Sequence, residues 1–390
     1  MNVVASKALL LIVNPTAGRR RRGLVDAVAS RVRAEGWTVD VVETQAAGDA
    51  RRLAETCDAG RYGVIAVAGG DGTINEVING LAGRGADAPA VGIVPLGTAN
   101  VLAHELGLGF SAAAVAHTMI AGRPLLVQPG EAVNGAGARC FSLMAGAGFD
   151  AKVVAGVSAP LKRRLGRAAY VWRSLVEARR YRPVRYDVEI DGVRHEASSV
   201  IVTRSRHYAG PYVVAPNATL GEPLLHVCLF ERWGRSHTFR YGLALLLGRL
   251  PRTAGYRVVA GRAVRVSVLS DAGELREQPV QIDGDNALTL PVSIGLSTGT
   301  VRLLEPGWPG ARTSRSARDH DADLEVRAPL TRLLQATHEL RRRMAVSRQA
   351  DLLLVEPHRR ACLGPQEPVD LVGVEGEPRQ AVLHVDDGVA

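Results

Sequence analysis

The stretch Val64-Ile65-Ala66-Val67-Ala68-Gly69-Gly70-Asp71-Gly72-Thr73 decides the fold. Its apolar run has no polar alternation, which is the pattern of a strand buried on both faces in a parallel sheet. The glycines carry the chain out of that strand, and residues 73–81 continue with helical spacing. Two similar units flank it. Residues 8–13 run into Asn14-Pro15-Thr16-Ala17-Gly18, and residues 91–95 run into Pro95-Leu96-Gly97-Thr98-Ala99-Asn100. Between them the spacing predicts helices over 24–35, 50–57 and 99–106 and a strand over 39–42. Such alternation predicts a parallel α/β domain over residues 1–127, with helices on both faces of its sheet.

All three glycine turns follow predicted parallel strands, and in open α/β sheets ligands bind beyond the carboxyl ends of strands. Glycine lets the backbone approach a phosphate, and the helix behind each turn aims free N–H groups at the anion. Thr73 and Thr98 add hydroxyls at helix starts. Asp71 would repel a phosphate unless a divalent cation lay between them, so it reads as a Mg²⁺-linked or catalytic group. One glycine turn alone would be an ordinary strand-to-helix connection, but three at one sheet edge point to a nucleoside triphosphate held by backbone amides. There is no GxxxxGK[ST] loop, and no GxGxxG opens the first strand, which excludes ordinary P-loop and dinucleotide folds.

From about residue 126 the texture changes. Short β-rich stretches at 131–134, 185–190, 198–203, 225–230, 263–269 and 280–282 are separated by turn signals such as Asp191-Gly192 and Asp283-Gly284. They predict an antiparallel β-sandwich over 128–291, interrupted by helices at 161–180 and 237–249. Pro306-Gly307-Trp308-Pro309-Gly310 then breaks the chain, and 307–390 reads as a linker and an extension of unassigned role.

Composition narrows the function classes. Among the 390 residues, 48 Lys+Arg against 39 Asp+Glu give a net charge of +9. The first 306 residues carry +10 and the rest −1. Such an excess suits anionic partners, or it reflects solubility alone. An aromatic share of 4% and the missing motifs count against a nucleic-acid binder. The four cysteines show no metal or disulfide spacing, and no apolar run reaches membrane-spanning length, so a cytoplasmic protein is expected. The basic segment 161–180, with Tyr170 and Trp172, reads either as a helix for the inner membrane surface or as a solvated helix face. A homodimer is left open.

Asn14–Gly18, Gly69-Gly70-Asp71-Gly72-Thr73 with Ile74, Asn75 and Glu76, and Pro95–Asn100 resemble the diacylglycerol kinase catalytic family. This family includes bacterial soluble lipid kinases and sphingosine kinases. The likeness extends through Ala209-Gly210-Pro211 and Pro216-Asn217-Ala218 to Ile282-Asp283-Gly284-Asp285. It implies an α/β nucleotide domain like that of NAD kinases and phosphofructokinases, then a β-sandwich, with residues 292–306 returning to the first domain.

The resemblance also implies an ATP- and Mg²⁺-dependent kinase of phospholipid metabolism, acting on diacylglycerol or a sphingoid-like lipid at a membrane surface. ATP contacts are implied at Asn14, Pro15, Thr16, Ala17, Gly18, Thr44, Gly69, Gly70, Asp71, Gly72, Thr73, Ile74, Asn75, Glu76, Gly97 and Thr98. The catalytic base is implied at the Asp-Gly turn, where Asp283 and Asp285 are both candidates. The dipeptide is equally a two-residue hairpin turn. A structural Mg²⁺ is implied in Pro216–Leu224, at Thr219, Glu222 and Leu224. There the family's two Asp positions have become Asn217 and Glu222. An NAD kinase-like small-molecule kinase and a non-catalytic lipid- or nucleotide-binding regulator are the rival readings.

Overall fold

The computed structural model describes residues 6–17, 22–85, 87–156, 184–269 and 278–307. Gly18, Arg19–Arg21, the basic segment 161–180 and the extension after Gly307 lie outside the described residues.

The chain begins β1 (Ala8–Val13), α1 (Arg22–Ala34), β2 (Thr38–Glu43), α2 (Asp49–Glu55), β3 (Val64–Gly69), α3 (Asp71–Leu81), β4 (Ala90–Pro95), α4 (Val101–Glu105) and α5 (Ala112–Ala121). Then come β5 (Arg123–Val127), β6 (Gly130–Asn134), β7 (Gly137–Phe141), β8 (Met144–Ala147) and α6 (Phe149–Gly156). After the gap follow β9 (Tyr186–Ile190), β10 (Val193–Ala197), β11 (Ser199–Thr203), β12 (His207–Tyr208), β13 (Tyr212–Val213), β14 (Leu225–Phe230) and α7 (Arg235–Leu246). The last described strands are β15 (Tyr256–Gly261), β16 (Val264–Val268), β17 (Pro279–Ile282), β18 (Asp285–Thr289), β19 (Val292–Leu296) and β20 (Val301–Glu305).

The first sheet has the order β2-β1-β3-β4-β20-β5, with β1 to β4 parallel. Every residue of β3 and β4 is buried, as the unbroken apolar runs require. One face packs on α1 and α5 through Leu9, Leu11, Val28, Val32 and Met119. The other packs on α2 and α3 through Ile12, Ile65, Ile74 and Ile78.

Two antiparallel sheets follow, β10-β9-β16-β19-β6-β7 and β15-β14-β11-β8-β17-β18. Phe141, Tyr186, Val188 and Ile294 from one meet Val200, Val202, Leu229 and Ile282 from the other, forming the sandwich core. The inner strands β14, β11 and β8 of the second sheet are buried on both sides. In β11, Val200 and Val202 point into the sandwich, whereas Ile201 joins the core of the α/β domain. Period-two alternation is therefore present but hidden, because both faces meet apolar neighbours.

One boundary needs correction. The expected return segment 292–306 is divided: β19 pairs with β16 and β6, burying Val292 and Ile294 in the sandwich. Only β20 rejoins the first sheet, parallel to β4 and antiparallel to β5. Alternate residues of β19 fit the sandwich face, and this packing outweighs their nearness in sequence to β20.

Candidate active site

Strand register sets the ends of four strands at one level. Val13 lies opposite both Glu43 and Ala68, and Gly69 lies opposite Pro95. The turns that follow β1, β2, β3 and β4 therefore leave along a single carboxyl rim.

Asn14 knits the first two glycine turns together. Its backbone N–H donates to Ala68 O at 2.9 Å and its Nδ2 to Thr73 Oγ1 at 2.9 Å. Its Oδ1 accepts from the N–H and the hydroxyl of Thr16 at 3.0 and 2.8 Å. Thr44 N–H donates to Val13 O at 2.9 Å, which sets that residue beside the first turn.

The second and third turns touch through their backbones. Leu96 and Gly97 N–H donate to Gly69 O at 3.0 and 3.2 Å. A Cβ on Gly97 would stand 2.6 Å from Gly70 Cα, so this approach needs glycine. Asp71 opens α3, and its Oδ1 accepts from Leu102 N–H at 3.1 Å in the first turn of α4.

Gly70, Asp71, Gly72 and Thr73 thus stand at the N-terminus of an eleven-residue helix, where leading N–H groups have no partner within the helix. Thr16 and Thr98 are exposed on the rim, and Pro15 and Ala17 are half-buried beside them. Ile74 departs from the expected contact set. Its side chain is fully buried in the core, because residues 74, 77, 78 and 81 form the inner face of α3. Asn75 donates its Nδ2 to Cys140 O of β7 at 3.3 Å, joining α3 to the sandwich, and Glu76 follows it half-buried.

On the sandwich side, Asp283 and Gly284 have φ of +46° and +91° and make the tight turn between β17 and β18 that the dipeptide predicts. The Asp283 carboxylate accepts four hydrogen bonds. They come from Ser142 N–H at 2.7 Å, Ser142 Oγ at 2.9 Å, Leu143 N–H at 3.0 Å and Met144 N–H at 2.8 Å. Burial pushes this carboxyl up to about 6 against the pull of those donors. Asp285 is different: it is exposed, and its Oδ2 lies 4.0 Å from where a Cβ on Gly72 would stand. The two carboxylates, equivalent candidates in the sequence, are separated by geometry. One is a strut, and the other faces the glycine turn.

A second set of bonds supports the same turn. Gly284 N–H donates to Gln281 Oε1 at 2.8 Å, Gln281 Nε2 donates to Asp150 Oδ2 at 2.7 Å, and Tyr208 Oη donates to Asp150 Oδ1. Burial raises the Asp150 carboxyl, while Tyr208 and Gln281 lower it. Sequence reasoning missed Asp150 and Gln281. The available signal was Gly146-Ala147-Gly148-Phe149-Asp150, since a Cβ on Gly146 would stand 2.6 Å from Asp150 Oδ2. Glu105 of α4 fastens the rim to this side, accepting from Ser205 Oγ at 2.6 Å and Arg206 N–H at 3.0 Å, with His207 Nδ1 at 2.8 Å.

The expected structural metal positions carry other bonds. The Glu222 side chain is exposed, and Thr219 O accepts from Glu222 N–H at 3.3 Å. The carbonyls of Glu222 and Leu224 accept from Arg204 Nη1. Among the described residues no three His, Cys, Asp or Glu side chains converge as metal ligands.

The Asp283 shift gives a pH prediction. Its folded-state value lies above the ordinary 3.8, so its protonation favours folding. That stabilisation is complete below about pH 4 and is lost as pH rises through about 6. From pH 4 to pH 7, native stability relative to Asp283→Asn should fall by on the order of 2–3 kcal/mol in urea unfolding. Parallel curves for the two proteins would refute the assignment.

The diacylglycerol kinase catalytic domain matches residues 8–132, and the YegS C-terminal NAD kinase beta sandwich-like domain matches residues 144–305. The lipid kinase YegS of Escherichia coli (strain K12) is 32% identical over 204 residues, covering 51% of this chain and 67% of that protein. The chain belongs to the diacylglycerol kinase-like family of lipid kinases. A diacylglycerol kinase of Bacillus subtilis (strain 168) is 28% identical to this lipid kinase over 290 residues, 73% of this chain and 92% of the relative. The crystal structure of a diacylglycerol kinase from Bacillus anthracis str. Sterne shares the lipid kinase's fold, with a TM-score of 0.60 and 24% identity. That overlay covers 77% of this chain and 98% of the other.

Proposed function

We propose that this lipid kinase transfers the γ-phosphoryl group of ATP to a hydroxyl of diacylglycerol or a sphingoid-like lipid. The observation that carries the reading is the approach of Asp285 to Gly72. It sets a carboxylate with no hydrogen bond or ion pair among the described residues against a turn suited to phosphates.

In this scheme the glycine turns and the α3 N-terminus would hold the triphosphate, and a Mg²⁺ bound with it would neutralise part of its charge. Asp285 Oδ2 takes the proton as the lipid oxygen attacks the γ-phosphorus. The bond from that phosphorus to the β–γ bridging oxygen breaks, and ADP leaves with the electron pair. Asp71, expected to be Mg²⁺-linked or catalytic, accepts from Leu102 N–H and in this scheme keeps the second and third turns in register. Asp283 and the Asp150–Gln281 pair hold the base in place. With diacylglycerol the product is a phosphatidic acid, a phospholipid precursor.

No helix among the described residues is long and apolar enough to cross a membrane. Helix α7 supports an approach to a lipid surface. Phe239 and Leu243 on the helix and Leu247 just after it are 54%, 46% and 46% exposed, with exposed Arg240, Arg249 and Arg252 beside them. Apolar insertion between basic side chains suits an anionic lipid surface. The helix packs on β13, whose partner β12 carries Tyr208 to Asp150.

The test is a γ-labelled ATP assay on the full chain with Mg²⁺. Its arms are diacylglycerol vesicles, sphingoid vesicles and soluble NAD. Label in a lipid extract, lost in Asp285→Asn, is the expected result. Label in NAD would favour the small-molecule kinase, and no turnover in any arm would favour a binding-only regulator.

A further inference from the structure

Arg204 follows β11 and is 1% exposed. Burying a guanidinium without compensation is costly, so its partners matter. Nε donates to Gln128 O at 3.1 Å, Nη2 to Leu220 O at 2.7 Å, and Nη1 to Glu222 O and Leu224 O. All four acceptors are backbone carbonyls. Among the described residues no carboxylate stands within ion-pair distance of it, although the Glu222 charge is near enough to favour its charged form. Three of these carbonyls, of Leu220, Glu222 and Leu224, come from one curved loop, and such oxygens are a donor set that a hard divalent cation takes. The carboxylates such a cation would add are missing: position 217 is Asn, and the Glu222 side chain is turned to solvent.

We infer that the Arg204 guanidinium occupies the place of a structural divalent cation in the 216–224 loop, which makes the sandwich side of this kinase independent of bound metal. A cation and the guanidinium would repel each other and compete for the carbonyls of Glu222 and Leu224. Burial lowers the Arg204 pKa only to about 10, so it stays charged near neutral pH. Its neighbours give the exchange a purpose. Ser205, Arg206 and His207 are the residues that Glu105 holds, and Tyr208 follows them to Asp150. Arg204 is thus a positioning residue. It anchors the loop on one side and starts the segment that reaches Asp150 through Tyr208 on the other.

Thermal unfolding of the full chain without ATP tests this directly. The native midpoint should shift by less than about 1 °C between excess EDTA and millimolar Mg²⁺, since no resident metal is linked to folding. A drop of several degrees in EDTA, restored by Mg²⁺, would overturn the inference. Arg204→Met keeps bulk but leaves the carbonyls unpaired, and should lower the midpoint by about 10 °C. An unchanged midpoint in that variant would also overturn the inference. The triple variant Arg204→Ala/Asn217→Asp/Glu222→Asp should acquire a Mg²⁺-dependent rise in midpoint that the native protein lacks, a response a merely structural arginine would not produce. A triple variant that folds but ignores Mg²⁺ would count against the exchange.

Discussion

Asp285→Asn is expected to lower kcat for lipid phosphorylation by about 1,000-fold, the usual worth of a positioned general base. The amide cannot take the proton, yet it fits the same exposed position, so KM for ATP and the unfolding midpoint should barely move. Asp283→Asn should behave differently. Its side chain holds Ser142, Leu143 and Met144 through four bonds, so loss of activity there should be accompanied by loss of stability. Steady-state kinetics and thermal unfolding of both variants separate the roles. An Asp285→Asn enzyme with near-native kcat would remove Asp285 as the base.

Gly97→Ala is expected to lower kcat/KM for ATP by about 100-fold, since displacing a cradle by roughly 1 Å has that consequence. The added Cβ would stand 2.6 Å from Gly70 Cα and 2.7 Å from Asn100 Oδ1. The first contact is with backbone, so no side chain can swing aside, and the second and third turns must separate. Gly83→Ala is the control, because a Cβ there meets nothing within 4 Å. Its kinetics should be native. Native kinetics in Gly97→Ala would show that the closeness of the two turns is irrelevant to nucleotide binding.

The parallel domain was legible because its information is local. Apolar runs at 8–13, 64–68 and 91–95 specify strands buried on both faces, and glycine after each one specifies the turn. The Asp283-Gly284 turn was legible for the same reason, since two residues at positive φ suffice to define it. Strands β8 and β19 were less so. Short stretches such as Met144–Ala147 carry little pattern, and what selects them is pairing with distant strands.

The sequence by itself determined a glycine-lined rim on a parallel sheet, a following β-sandwich and an acidic turn late in the chain. Tertiary structure decided what the acidic turn does. Asp283 meets Ser142 across 141 positions, and Gln281 meets Asp150 across 131, pairings that no local spacing encodes. It decided the fate of the 216–224 loop as well, because the positive charge that fills it comes from Arg204, on a different stretch of chain. Backbone conformation is set by neighbours in sequence, whereas the burial and pairing of a charge are set by whatever the fold brings beside it.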